Sequence, residues 1–356
     1  MSYADRLASA WNDHLAPRRP HAPTVVSLFA GCGGSSLGYS MAGYDERLAV
    51  EWSDKQGASF AANFPDVPLY LGDVAQLSNA QALDLAQLET GELDVLDGSP
   101  PCQGFSLSGR RKFADDRNQL FHEYVRLLNA FAPRMFVMEN VPGMVIGKMR
   151  LIFVDILAHL KAAGYDVSAR VLMAAHYGVP QLRRRMIFVG VRRDLADAFD
   201  ARPSHPQPTT ARFVTVREAL HGVVNTDDEI EQTKYAPDAK YLRYLMNLKP
   251  GQSGDEIHPK KHFFNLHRLS WEETAPTLLK SGGHKSWACE ACHPEEHRKL
   301  TIAELKRIGS FPDPFVLRGT FEERWAAIGN CVPPLFMRAI SSHVATLLPI
   351  TVEQSS

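Results

Sequence analysis

The chain has 356 residues, 45% of them hydrophobic and 22% charged, which suffices for one large domain with a smaller companion and excludes disorder throughout. Positive and negative side chains nearly cancel, at a net charge of −1, so a polyanionic partner would have to meet local basic clusters such as 110–112, 183–185 and 260–262. The opening residues lack an export-type apolar core, no stretch approaches about 18 uninterrupted apolar residues, and five irregularly spaced cysteines do not make a secreted disulfide framework; a cytoplasmic protein with reduced thiols is expected.

Residues 1–23 read as a short amphipathic segment and a Pro-rich linker. From 24 to about 190 the pattern is α/β. Short apolar runs at 24–29, 47–50, 93–96, 135–138 and 186–191 fit buried strands of a mostly parallel sheet, and they alternate with helix-like stretches including 120–130 and 151–163. Between about 192 and 292 prolines, an acidic run and a glycine turn interrupt any period, which marks a candidate second domain. An amphipathic helix at 301–308, the turn-rich FPDPF at 311–315 and an apolar helix near 335–348 then return to the first domain over 293–350, and 351–356 form a tail.

In VVSLFAGCGGSSLGYSMAGY (25–44) a strand runs into Gly31, Gly33 and Gly34 and then a helix, an arrangement that lets backbone approach a ligand at a helix N-terminus. Glu51 ends the next apolar run, where a carboxylate can accept hydrogen bonds from a ribose diol. Asp73, in LGDV, stands where it can face an adenine amino group. Taken in this order the residues favour an adenosine-containing cofactor, and they leave open whether it is a dinucleotide or S-adenosylmethionine.

GSPPCQGFS (98–106) puts Cys102 just past a strand, behind two prolines that stiffen the turn and present the thiol. MFVMENVPGM (135–144) ends an apolar strand in Glu139 and Asn140, and burial there would raise the Glu139 pKa toward the proton-donating range. VPQLRRRMIFVG (179–190) sets three arginines before a strand; alternation sends Arg183 and Arg185 to one face and Arg184 to the other. Two guanidiniums on one side suit phosphate or a polarised carbonyl.

FAGCGG, GSPPCQGFS, MENVPG, QLRRR, HRKLTIAELKRIGSFPD (297–313) and GNCVPP (329–334) occur in the order of the cytosine-5 DNA methyltransferase family, which the chain resembles over about 24–190 and 293–347. The resemblance implies a Rossmann-like, S-adenosylmethionine-dependent methyltransferase sheet with a smaller irregular target-recognition domain. Its implied cofactor contacts are Phe29, Ala30, Gly31, Gly33, Gly34, Glu51, Trp52, Asp73, Val74, Pro101, Leu120 and Asn330, with S-adenosylhomocysteine as product. Cys331 departs from the alanine or serine usual in the last motif.

By the same resemblance Cys102 attacks carbon 6 of a flipped cytosine, Glu139 holds its amine and ring nitrogen 3, Arg185 holds its carbonyl, and Arg183 and Asn140 fix the geometry. Duplex DNA is the implied partner of Gln103, Ser106, Arg110, Arg111, Lys112, Arg183, Lys261 and Arg268, and 192–292 carries target choice. A monomer in a restriction–modification setting is expected, with a cognate endonuclease left open. CEACH (289–293) has the Cys-x-x-Cys-His spacing of haem attachment, and with His284 or His297 it has the donors of a zinc site; reduced cysteines without metal are the favoured reading. Two alternatives are a tRNA cytosine-5 methyltransferase and a non-catalytic DNA-binding relative. The first usually carries a Cys-Phe-Thr element absent here, and the second loses a nucleophile or glutamate that this chain keeps.

Overall fold

The structure, a computed structural model, describes residues 1–101, 119–145, 149–235, 242–263, 266–280 and 291–348. Its strands are β1 Thr24–Leu28, β2 Asp45–Glu51, β3 Leu69–Leu71, β4 Val95–Gly98, β5 Met135–Asn140, β6 Tyr165–Met173 and β7 Arg184–Arg192. Helices α1 Tyr3–Leu15, α2 Gly34–Met41, α3 Asp54–Asn63, α4 Asn79–Ala86, α5 Gln119–Phe131, α6 Arg150–Ala162 and α7 Arg193–Phe199 lie among them. The remaining helices are α8 Val216–Leu220, α9 Asp227–Thr233, α10 Leu242–Leu245, α11 Gly254–Ile257, α12 Ile302–Ile308, α13 Phe321–Asn330 and α14 Pro334–Leu347. Among the described residues no helix is long and apolar enough to cross a membrane.

The chain divides into two compact units, neither of them contiguous. One comprises Asp13–Leu172, Arg184–Gln207 and Met337–Ser356 and holds the seven-stranded sheet, in the order β3-β2-β1-β4-β5-β7-β6. From β3 to β5 every neighbouring pair is parallel, and β7 runs antiparallel to β5. All of β5 is buried, as are the last four residues of β1 and of β2, which explains why these strands read as continuous apolar runs. Val26, Leu48, Leu96, Phe136 and Phe188 supply one face of the core, against Tyr124, Leu127 and Phe131 of α5. Gly190 stands opposite Phe136 in register, and a Cβ there would lie 2.0 Å from the ring, so the strand yields its own side chain to seat an aromatic one.

The other unit comprises Met1–Asn12, Met173–Arg183 and Pro208–Phe336. Short helices and isolated bridges replace a sheet: Gln181 pairs with Ala275, Lys234 with Arg298, and Cys292 with both Arg268 and Lys299. Side-chain caps keep such brief helices formed, with capping boxes from Thr301 to Glu304 and from Thr320 to Glu323. Arg298 and Glu304, both buried, pair at 2.8 Å, and Tyr3 donates to the Arg307 carbonyl at 2.9 Å.

These bounds differ from those read in the sequence. The proline-rich stretch before 208 stays with the sheet because α7 follows β7 directly and His205 and Ser204 bond to Ser168 and His343. Residues 293–336 group with the irregular unit because their backbone is bridged to it, Lys299 N–H to Thr233 and Leu300 N–H to Ala291. Only from Met337 does the chain rejoin the sheet unit, where Tyr44 donates to Ser341 and Arg338 pairs with Asp13.

Acids lie under the sheet. Ser36 donates to Glu46 on β2 at 2.8 Å, yet burial pushes the Glu46 pKa from 4.5 up to about 7. The folded chain therefore binds a proton that the unfolded chain releases, and this contribution to stability, full below about pH 4.5, is lost as pH climbs past 7. Glu46→Gln is expected to stabilise the protein by on the order of 2 kcal/mol at pH ~8 and to change little at pH ~4. Thermal melts at the two pH values check this, and equal effects at both would contradict it.

Candidate active site

β1 lies between β2 and β4, so connections from its neighbours leave in opposite directions, the arrangement that in an open parallel sheet sets the ligand crevice at the carboxyl ends of the strands. Phe29, directly after β1, takes a left-handed backbone with φ 59°, uncommon for a bulky side chain. Ala30 N–H donates to Val50, and Gly33, at φ 96°, stands before the first turn of α2.

Glu51, at the end of β2, is buried and ties this loop down. Its two oxygens accept from Gly31 N–H at 2.8 Å and Ser53 N–H at 2.9 Å, while burial holds its pKa above the usual carboxylate range. Trp52 beside it is 79% exposed, a bare ring next to a fixed carboxylate. Asp73 accepts from Ala75 N–H and so caps a 3-10 turn, Val74–Gln76, in which Val74 is buried. Phe29 and Leu120 are partly buried against the sheet core, and Pro101 is partly exposed. A Cβ on Gly31 would meet nothing within 4 Å, so open space, an unshielded indole and carboxylates fit an adenosine-bearing group.

Glu139 and Asn140 end β5, and the antiparallel β7 begins beside them, so the residues leading into one strand meet those leaving the other. Arg185 Nε donates to Glu139 Oε1 at 2.7 Å, with both side chains largely buried. A carboxylate that would be costly alone in this setting is thus paired. Asn140 donates through Nδ2 to the Pro100 carbonyl at 3.1 Å and accepts from Val141 N–H, which fastens the end of β5 to the turn after β4.

Asp97 was not singled out in the sequence. It is buried on β4, receives the Tyr39 hydroxyl at 3.3 Å, and has a pKa raised well above the carboxylate range by burial and then by the nearby Glu46 carboxylate. The available signal was a charge inside the apolar run LDVLDG.

Cys102, Gln103, Ser106, Arg110, Arg111 and Lys112 lie outside the described residues. The other expected residues belong to the second unit. Arg184, the first residue of β7, is exposed; Arg183, just before the strand, is buried, and its guanidinium donates to the backbone carbonyls of Leu278 at 3.0 Å and Asn330 at 3.4 Å. Asn330 ends α13 with its side chain exposed, and exposed Lys261 has a left-handed backbone, φ 54°. Arg268, expected on a DNA surface, is instead buried: it donates to the carbonyls of Leu245, Pro294 and Glu295 and to His297 Nδ1 at 2.6 Å. An irregular fold leaves carbonyls unsatisfied, and a forked cation answers several at once. Cys292 is buried 3.3 Å from the Tyr235 hydroxyl; His284 and Cys289 are outside the described residues, among which no group of three or more His, Cys, Asp or Glu could hold a metal ion.

The two turn glycines are not equivalent. At Gly33 a Cβ would lie 2.4 Å from the Phe64 ring, on top of an unfavourable φ; at Gly31 only the backbone term applies. Gly33→Ala is expected to destabilise by roughly 2–4 kcal/mol and Gly31→Ala by about 1 kcal/mol, measured by urea denaturation. The reverse order would contradict the packing described here.

A family model described as C-5 cytosine-specific DNA methylase matches residues 23–345. Type II methyltransferase M.XorII of Xanthomonas oryzae pv. oryzae is 31% identical, over 94% of this chain and 87% of its own. Type II methyltransferase M1.HphI of Haemophilus parahaemolyticus is 32% identical, over 90% and 86%. Among solved structures, a prophage-encoded E. coli protein described as a DNA modification methyltransferase superposes with a TM-score of 0.74 at 25% identity, over 92% of this chain and 99% of that one.

Proposed function

We propose, for a chain that belongs to the C-5 cytosine-specific DNA methylase family, that Cys102 is the nucleophile, Glu139 and Arg185 are the groups that hold the target base, and S-adenosylmethionine is the methyl donor. The observation that carries this reading is the Glu139–Arg185 pair, set at the carboxyl edge of the sheet beside the turn that leads to Cys102 and fastened to it through Asn140 and Pro100.

Cytosine carbon 5 is a poor nucleophile. Addition of the Cys102 thiolate at carbon 6 pushes electrons toward ring nitrogen 3 and makes carbon 5 reactive. Glu139 holds the exocyclic amine and nitrogen 3, where charge builds, and Arg185 holds the carbonyl oxygen. The ion pair between them keeps both side chains oriented before the base arrives. After alkylation at carbon 5, loss of its proton returns the electrons that expel the thiolate and restore the aromatic ring. Bound in the crevice, S-adenosylmethionine supplies an electrophilic methyl group; Glu51, Trp52, Asp73, Val74 and the Phe29–Gly34 loop are the residues proposed to hold it. Duplex DNA is the proposed substrate, with the cytosine swung out of the stack at a cost of a few kcal/mol. The basic residues 110–112 and exposed Lys261 are the proposed phosphate contacts.

The test is covalent trapping. A duplex carrying 5-fluorocytosine at the target is expected to capture the wild-type protein in the presence of the donor, and Cys102→Ser neither traps nor transfers methyl. Glu139→Gln should lower transfer at least ~100-fold. Full activity of Cys102→Ser would overturn the mechanism, and transfer to tRNA alone would overturn the substrate.

A further inference from the structure

Asp73 and Val74 sit on one element of the sheet unit and Leu120 on another. One guanidinium joins them. Arg126, on α5 with Leu120, donates through Nη2 to the carbonyls of Val74 at 3.0 Å and Leu77 at 2.9 Å. Its Nε donates to Glu123 Oε2 at 2.7 Å, and its Nη1 to the side chain of Asn79, the first residue of α4.

The turn these bonds hold is Asp-Val-Ala-Gln-Leu, without glycine or proline to impose its shape. It is capped at its start by its own Asp73 carboxylate on Ala75 N–H, and it is held from outside by Arg126, which donates to the Leu77 carbonyl and to the Val74 carbonyl that also accepts from Leu77 N–H. Glu123, one helical turn back on α5, orients the fork. Lysine could not substitute, because a single ammonium on a flexible stem cannot span two carbonyls and a side-chain amide in a fixed geometry.

We infer that Arg126 is a positioning residue for the methyl donor, setting the separation between the Asp73–Val74 turn and Leu120 without touching the donor itself. This rests on the assignment of the crevice to S-adenosylmethionine made above. A brace that only stabilised the fold would affect melting and leave donor affinity alone, and the two roles separate on that point.

The experiment measures S-adenosylhomocysteine binding by calorimetry, the KM for S-adenosylmethionine and kcat on duplex DNA, and the melting temperature of the free protein, for wild type, Arg126→Lys and Asn79→Ala. For Arg126→Lys, product Kd and donor KM are expected to rise about ten-fold, with kcat within about two-fold and the KM for DNA unchanged. Asn79→Ala, which removes one acceptor of the fork and leaves the carbonyls in place, should raise both donor constants about two-fold in the same direction. Wild-type Kd in both variants, whatever their melting temperatures, overturns the role of Arg126. Should Arg126→Lys fail to fold, unchanged donor constants in Asn79→Ala overturn it. Absence of product binding by the wild-type protein overturns instead the assignment of the crevice.

Discussion

One strand direction organises the chemistry of this molecule. In a wholly parallel sheet every strand delivers its last residues to the same edge and its first residues to the opposite one. Reversal of β7 breaks that rule once, so that residues entering β7 arrive where β1, β4 and β5 leave. Arg185 can therefore reach Glu139 although 46 residues separate them, and neither depends on a loop for its placement. The glycine turn after β1, the turn after β4, Glu139 and Arg185 come to one edge because of strand order and direction, before any side chain is chosen.

That convergence concentrates charge in a poorly solvated place, and the structure answers each charge differently. Glu139 is paired, Glu51 is satisfied by backbone donors, and Asp97 and Glu46 are driven toward their neutral forms by burial. Pairing and backbone donors favour the ionised form of an acid, and burial favours the protonated one. At Glu51 the two effects compete and burial prevails, since its pKa lies above the usual carboxylate range despite the Gly31 and Ser53 donors.

Much of this was legible in the sequence because buried strands write themselves as apolar runs, and five were read near their true positions. β3 escaped because three residues carry no period, and β6 because only its first residue and Leu172 are buried. Strand direction cannot be read from hydrophobicity, so the pairing of Arg185 with Glu139 was not legible in the pattern; family resemblance only assigned each of them to the target base. Arg268 misled for a related reason. A basic residue in an irregular stretch looks like surface, and only the fold reveals how many carbonyls lack partners around it.

The interleaving of the two units limits how they can be recombined. The polypeptide passes from one to the other after Asn12, Leu172, Arg183, Gln207 and Phe336, so no single cut liberates either. A chimera built by exchanging 208–336 with a relative would inherit Arg183 and Gln181 from the host and their carbonyl partners from the donor. Swaps that carry 173–183 along with the long segment keep those partnerships intact, and the same holds for the first dozen residues, whose Tyr3 is bonded to Arg307. Modularity here belongs to a set of three threads and not to a cassette.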